Sequence, residues 1–260
     1  MSGARRLAVV VAHPDDDTFG CAGTVALHAD DPQLRFVLIH ATNGGAGQIA
    51  PGSGATRETL GSVREEEDRR SWIALGREPD RHEWLGYTDG GLADVPFGEL
   101  VARIAAILAE ERPDVMITFG PEGITAHPDH VTVGRAATEA FASLRDGGDG
   151  FARVLHQAIK RSDIDAWNER LVAAGKEPID PTQMFQPRGV PDDTIGVEVD
   201  CTSVVDRKLA ALREHRTQAG DAGTFDEGDL REALAREQHV IAWPPTPPGT
   251  PPLGDVFEGL

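Results

Sequence analysis

The 260-residue sequence predicts an α/β protein: a mostly parallel sheet with helices on both faces. Three observations support this. Short apolar, β-branched runs at residues 7–12, 35–42 and 114–119 read as buried strands. Amphipathic stretches separate them, the clearest at residues 97–110, where Leu100, Ile104, Ile107 and Leu108 fall at helical spacing. No repeat or linker divides the chain, and 40% hydrophobic residues suffice for a substantial core.

Taken in order, the first strand leads through an acidic turn into a helix expected at residues 18–29. Residues 43–61, rich in Gly, Ser and Thr, are too long for an ordinary connector and read as a mobile loop near the site. Residues 62–76 read as a surface helix anchored by Val63, Trp72, Ile73 and Leu75 and stopped by Gly76. A third strand is expected at 82–85, turn-rich loops at 86–93 and 120–126, and a helix from the second histidine cluster to about Leu144. After a tight loop at 146–150 comes a strand at 152–159. The pattern then weakens into a short helix at 163–174, an irregular stretch at 178–193 and a strand at 194–199. Helices at 201–216 and 230–237 and a closing strand at 239–243 complete it. The reading is one α/β domain over 1–243, with 160–243 more irregular and shaping the pocket, and an extended proline-rich tail at 244–260.

Charge narrows the function. With 43 acidic and 25 basic residues the formal net charge is −18, which repels nucleic-acid phosphates and anionic membranes. A small-molecule partner is expected, with no nucleic acid. No run approaches the roughly 18 apolar residues of a membrane span. The apolar run after Arg5 and Arg6 is too short for a signal peptide, so the expected location is cytoplasmic. Cys21 and Cys201 are too few and too distant for a disulfide framework. The stretch Gly44-Gly45-Ala46-Gly47 lacks the lysine-serine ending of a phosphate loop and the spacing of a dinucleotide fingerprint, which excludes kinase and dehydrogenase readings. Oligomeric state is open, and a homo-oligomer is compatible with the sequence.

Two clusters carry the chemistry. His13-Pro14-Asp15-Asp16-Asp17 directly follows a buried strand, and the carboxyl ends of strands are where open α/β sheets bind ligands. His127-Pro128-Asp129-His130 follows another. Alone, each has a structural explanation: Asp17 as a helix cap, or histidines on a helix surface. Together they are two strand ends able to converge on one metal. Two imidazoles and a carboxylate leave room for water, which is the ligand logic of catalytic zinc. A spare carboxylate, Asp15, can take a proton from that water, and a spare imidazole, His127, can serve the leaving nitrogen or the oxyanion. Among other histidines, His28 reads as helix surface. His82, His156 and His239 read as structural groups, and His40, late in its strand, is a lesser candidate.

These residues resemble a known family. AHPDD at 12–16 with GCAG at 20–23, and HPDH at 127–130, are similar to the paired motifs of the LmbE-like, or PIG-L-like, metal-dependent deacetylases. Arg64 with Glu67, Leu75-Gly76, LGYTDGGL at 85–92 and KLAALREHRTQ at 208–218 also fit, so the likeness spans residues 7–218. It implies a Rossmann-like sheet, one zinc ion per chain, and hydrolysis of N-acetyl groups, often on glucosamine-containing molecules. Carried over by motif position, His13, Asp16 and His130 are metal ligands, and Asp15 is the general base. His127 supports the tetrahedral intermediate or acts as acid, and Asp129 orients a histidine. Asn43, Arg64, Asp89 and His215 are candidates for binding substrate. Three departures bear on the substrate: Asp17 stands where the family usually has glutamate, Gly123–Ala126 contains none of the tyrosine found in thiol-pathway members, and Ile124, Thr125 and Ala126 replace some loop glycines.

The expected function is therefore zinc-dependent removal of an N-acetyl group from an N-acetylglucosaminyl or related amino-sugar conjugate. A second reading keeps the hydrolase but cleaves a larger amide, of a thiol conjugate or a non-sugar amine. A third is a non-catalytic metal-binding module, against which Asp15 and His127 speak. The donor set also suits Fe2+ or another divalent ion.

Overall fold

The computed structural model describes residues 5–219 and 227–260. Strand β1 (Arg5–Val11) leads into helices α1 (Asp16–Gly20) and α2 (Ala22–Leu27), then strand β2 (Leu34–Thr42). Helix α3 (Leu60–Leu75), strand β3 (Arg81–Tyr87), helix α4 (Phe97–Glu111) and strand β4 (Val115–Phe119) follow. A short helix α5 (Gly123–Ala126) and the long α6 (Pro128–Leu144) precede strand β5 (Arg153–Ala158) and helix α7 (Arg161–Ala173). Strand β6 (Val197–Asp200), helices α8 (Val205–Leu212) and α9 (Glu227–Leu234) and strand β7 (Arg236–Trp243) complete the order.

The seven strands form one sheet in the order β3-β2-β1-β4-β5-β7-β6. The first five are parallel, and β7 runs antiparallel to both β5 and β6. The predicted mostly parallel α/β sheet is thus what forms. Strand order reverses at β1, which pairs with β2 on one side and β4 on the other. This is the topological switch point, where the diverging connections leave a crevice beyond the strand ends. Both histidine clusters follow the two strands that flank it.

Strand β4 is buried along its whole length, as a central parallel strand covered on both faces must be. Helix α4 covers the sheet with Leu100, Ile104, Ile107 and Leu108, packing beside Val133, Ala136, Ala137, Ala140 and Phe141 of α6. Gly134 lets α6 approach closely, because a Cβ there would lie 2.4 Å from the Phe119 carbonyl oxygen. The helix carrying His130 therefore rests directly on the end of β4.

Several local expectations are corrected. The helix expected at 18–29 breaks at Cys21, whose φ of −149° is not helical. Glu237 explains the break: its carboxylate accepts the N–H groups of Gly23 and Thr24, at 2.7 and 2.8 Å, satisfying donors that a continuous helix would have turned inward. The helix expected at 201–216 shrinks to α8, flanked by single 3-10 turns at Thr202–Val204 and Arg216–Gln218. Helix α3 is not a simple surface helix. It buries Arg64, Glu67, Asp68 and Ser71 along with Leu60, Trp72 and Leu75, while Ile73, expected as an anchor, is exposed. Apolar periodicity cannot reveal a helix whose inward face is half polar.

The proline-rich stretch folds back onto the body. Val256 and Phe257 join the main core, and buried Arg153 donates to the carbonyls of Val256 and Glu258. His28 pairs with Asp255 at 2.7 Å, so it faces this segment instead of open solvent. No helix among the described residues is long and apolar enough to cross a membrane.

One buried ion pair ties the layers together. Lys208 of α8 is fully buried and donates to Glu237 of β7 at 2.6 Å and to the Phe19 carbonyl at 2.9 Å. Burial alone would raise the Glu237 carboxyl, but Lys208 and Thr24 outweigh it and hold its pKa below the usual glutamate value. Removing one partner strands the other's charge in the core. Lys208→Met is expected to cost about 3–5 kcal/mol in urea unfolding, and adding Glu237→Leu to recover much of that loss. A single-variant cost under about 1 kcal/mol would show that the pair is not a keystone of the fold.

Candidate metal centre

The backbone aims the first cluster. Beyond β1 the chain turns sharply at Asp15, which has φ 94°, a conformation unusual for a residue other than glycine. The His13 N–H donates to the Asp16 carboxylate at 2.7 Å, closing the turn so that both side chains face the crevice. In the second cluster His127 is the N-cap of α6, its Nδ1 accepting the Asp129 N–H at 3.1 Å, with Pro128 at the first helical position. His130 then projects from the first turn of α6, its ring stacked on Phe119 at 4.1 Å.

Two ring nitrogens and both oxygens of one carboxylate meet there. His13 Nδ1 lies 3.2 Å from His130 Nε2, across 117 residues of chain. His130 Nε2 is 3.2 Å from Asp16 Oδ1, and His13 Nδ1 is 3.5 Å from Asp16 Oδ2. A tetrahedral ion with bonds of about 2.0–2.1 Å has ligand-to-ligand edges of about 3.3–3.4 Å. Each of the three separations is close to such an edge, with the two rings facing different oxygens of Asp16. His13 and His130 are each only 8% exposed.

The tautomers agree. His130 Nδ1 is 3.0 Å from the Gly123 carbonyl, which only accepts, so the ring proton sits on Nδ1 and the Nε2 lone pair points towards His13 and Asp16. The outer nitrogen of His13 faces Asp89 Oδ1 at 3.0 Å and Asp129 Oδ2 at 3.4 Å, leaving Nδ1 inward. Asp129 also accepts the N–H groups of Gly90 and Leu92, at 2.7 and 3.1 Å, and so pins the 86–93 loop to α6.

Electrostatics point to a cation. Burial disfavours charge on His13, yet the carboxylates of Asp129, Asp16 and Asp89 outweigh it and raise its pKa well above the usual histidine value. Burial would likewise raise Asp16, but His130 and His13 bring it well below the usual carboxylate range. The site holds more negative than positive charge and calls for a positive centre between its donors. His127 behaves oppositely: burial, with His13 and His130 nearby, lowers it to about 4. Its Nδ1 accepts a hydrogen bond, so near neutral pH it is a neutral ring with its proton on Nε2.

Asp15 and Arg64 complete the wall. Arg64 is 4% exposed and donates to Asp15 Oδ2 at 3.1 Å, to the Pro14 carbonyl at 2.6 Å and to the Gly44 carbonyl at 3.0 Å. These residues open onto a cleft of about 1420 Å³, also lined by Phe185 and Gln218. That exceeds the usual small-molecule pocket and has room for a conjugate.

The structure thus brings together His13, Asp15, Asp16, Arg64, Asp89, His127, Asp129 and His130. Two expected substrate contacts sit elsewhere. Asn43 is not on the cleft wall, because it packs against Gly61 and donates to Glu65 at 3.0 Å. His215 is 3% exposed and bonded to Thr18 at 3.1 Å, behind α1 and off the wall. Asp89 lines the cleft, but its oxygens face His13 and the Ala46 N–H, and the bond from His13 helps draw its pKa to about 2 against the effect of burial. Sequence reasoning missed Phe119 and Phe185, whose ring centre lies 5.3 Å from that of His127. Phe119 was findable as the last residue of a strand ending beneath His130; Phe185 lies in an irregular stretch with no periodic signal.

Comparison with known proteins agrees with this picture. A family model described as PIG-L: GlcNAc-PI de-N-acetylase matches residues 8–141, which contain both clusters. The 1D-myo-inositol 2-acetamido-2-deoxy-alpha-D-glucopyranoside deacetylase of Thermobifida fusca (strain YX) is 31% identical over 266 residues, covering 92% of this chain and 91% of the relative. Among solved structures, the conserved protein TT1542 from Thermus thermophilus superposes with a TM-score of 0.59 at 26% identity, covering 93% of this chain and 96% of that one. The N,N'-diacetylchitobiose deacetylase from Pyrococcus horikoshii shares the fold with a TM-score of 0.60 at 22% identity, covering 95% and 85%. From the paired motifs and the extent of these similarities, the chain belongs to the PIG-L family of de-N-acetylases.

Proposed function

We propose that this chain is a zinc-dependent N-deacetylase acting on an N-acetylglucosaminyl or related amino-sugar conjugate, with His13, Asp16 and His130 as ligands. The observation that supports this most is the meeting of His13, His130 and the Asp16 carboxylate, with 3.2 Å between the ring nitrogens and 3.2 and 3.5 Å from them to separate Asp16 oxygens, flanked by a further carboxylate and a neutral imidazole. When bound, a zinc ion supplies Lewis-acid polarisation and lowers the pKa of water.

The chain's own residues do the rest. Asp15, held by Arg64, takes a proton from the attacking water as its oxygen bonds to the acetyl carbon. His127 presents its Nε2–H to the carbonyl oxygen, where negative charge develops. The carbon–nitrogen bond then breaks, and the proton held by Asp15 passes to the leaving nitrogen. The products are the free amine and acetate. Asp89 and Asp129 keep the His13 ring turned, and the Asp129 N–H holds the His127 ring.

Asp15→Asn isolates the base, because asparagine tolerates the positive φ at this position. We expect kcat to fall about 10²–10⁴-fold with zinc content unchanged. A variant that keeps its zinc and the wild-type rate would remove Asp15 from the mechanism.

Release of free amine tests the reaction itself. Substrates would be N-acetylglucosamine, an inositol-linked and a malate-linked conjugate, and short chito-oligosaccharides. We expect zinc-loaded protein to act on at least one conjugate, EDTA to abolish the activity, and added zinc to restore it. Metal-loaded protein inert towards the whole panel would overturn the amino-sugar reading.

A further inference from the structure

A second group of metal-type donors lies in the interior, joined to the first through Asp17. His40, Asp68 and His82 bring ligand atoms within 4.8 Å of one another. Asp17, His40 and Asp68 are each 0% exposed. None of these residues belongs to the first donor group or lines the cleft.

The hydrogen bonding here is incomplete in one specific place. His40 Nδ1 lies 2.9 Å from His82 Nε2, so one proton serves that contact. Burial and the neighbouring His40 hold His82 down at about 3, so its ring is neutral, and either nitrogen of the contact can carry the shared proton. With the proton on His40 Nδ1, the lone pair of His40 Nε2 faces Asp17 Oδ1 at 3.6 Å and Asp68 Oδ1 at 3.8 Å. Asp68 Oδ2 is 3.7 Å from His82 Nε2. Among the described residues, His40 Nε2 and both Asp68 oxygens make no hydrogen bond. A ring nitrogen and two buried carboxylates thus lie side by side with their hydrogen bonding incomplete, an arrangement that a positive centre would satisfy.

The terminal nitrogens of Arg64 and the Trp72 indole are engaged elsewhere, while Arg64 Nε, also buried, has no hydrogen-bond partner among the described residues. Arg64 is committed to Asp15, Pro14 and Gly44. Trp72 Nε1 donates to Asp17 Oδ2 at 2.7 Å and leaves Oδ1 facing His40. Burial, and the charge and side chain of Asp17 close by, push the Asp68 carboxyl well above its usual pKa.

We propose that His40 Nε2, Asp17 Oδ1 and the Asp68 carboxylate bind a second divalent transition-metal ion, with His82 as the outer partner that orients the His40 ring. One imidazole and two carboxylates suit zinc and its neighbours, and the ion would neutralise both carboxylates. The 3.6 and 3.8 Å edges need to contract by only a few tenths of an ångström to reach the about 3.3 Å of a tetrahedral site. Asp17 Oδ1 also accepts the Asp15 N–H at 3.2 Å, so this ion would brace the turn that presents Asp15. The proposal stands apart from the amide-hydrolysis reading.

Metal content decides it. The full chain, loaded with excess zinc and desalted, is analysed by plasma mass spectrometry. Wild type is expected to hold about two ions per chain, Asp68→Asn and His130→Ala about one each, and the double variant about none. Cobalt titration of wild type, followed by visible absorption, is expected to saturate in two steps and needs no variant to fold. Wild type holding about one ion, lost in His130→Ala, would overturn the second site while leaving the first intact. Asp68→Asn that keeps about two ions would also overturn it.

Discussion

The parallel pairing of β1 with β4 is the constraint on which the remainder depends. Leu7, Ala8 and Val9 lie opposite Val115, Met116 and Ile117, so the two strands end side by side. Everything chemical in the molecule hangs from those two ends. A one-residue slip would exchange the two faces of a strand and carry its histidine out of the crevice. Such a slip is resisted by the close packing of the buried side chains of both strands, which differ in size and fit their neighbours in one register. The site's accuracy is therefore secured by the hydrophobic core beneath it. Gly134 adds to this by letting α6 sit on β4 without a spacer.

Around that frame the protein tolerates an unusual amount of buried charge. His13 faces three carboxylates, Lys208 and Glu237 are sealed in the core, and Arg64, Glu67 and Asp68 line the inner side of one helix. Glu67 is satisfied by the N–H and hydroxyl of Thr217, at 2.9 and 2.6 Å, and so ties α3 to the stretch after α8. Buried groups of this kind seldom add stability over apolar ones of equal volume. Their arrangement makes sense as positioning: each orients a neighbour that reaches towards the cleft.

Much of this was legible in the sequence, for identifiable reasons. Buried parallel strands announce themselves as continuous apolar runs, and the two His-Pro-Asp clusters stand directly after such runs. The likeness to the de-N-acetylase family rested on those same residues. What stayed hidden were pairings between polar residues distant in the chain. Nothing local marks Asp89 as the partner of His13, or Glu237 as the group that breaks the first helix at Cys21. His82 read as a structural group and His40 as a lesser candidate for the first site, because period-two alternation carries no information about what a buried ring will meet. Asn43 and His215 went astray for the opposite reason. Their motif positions lie close to the site in sequence, but the side chains turn into the packing behind it.

Helix α3 has a consequence for how the molecule behaves when it loosens. Its inward face carries an arginine, two carboxylates and a serine beside its apolar anchors. Were this layer to lift from the sheet in a transient opening, much of the newly wetted helix surface would be ionic and readily hydrated. Partly opened molecules usually associate through greasy surfaces exposed in such moments. Here the exposed helix face would offer fewer sticky contacts, and at a net charge of −18 the opened molecules would also repel one another. The same polar layer that helps hold Asp15 in position thus also guards against aggregation.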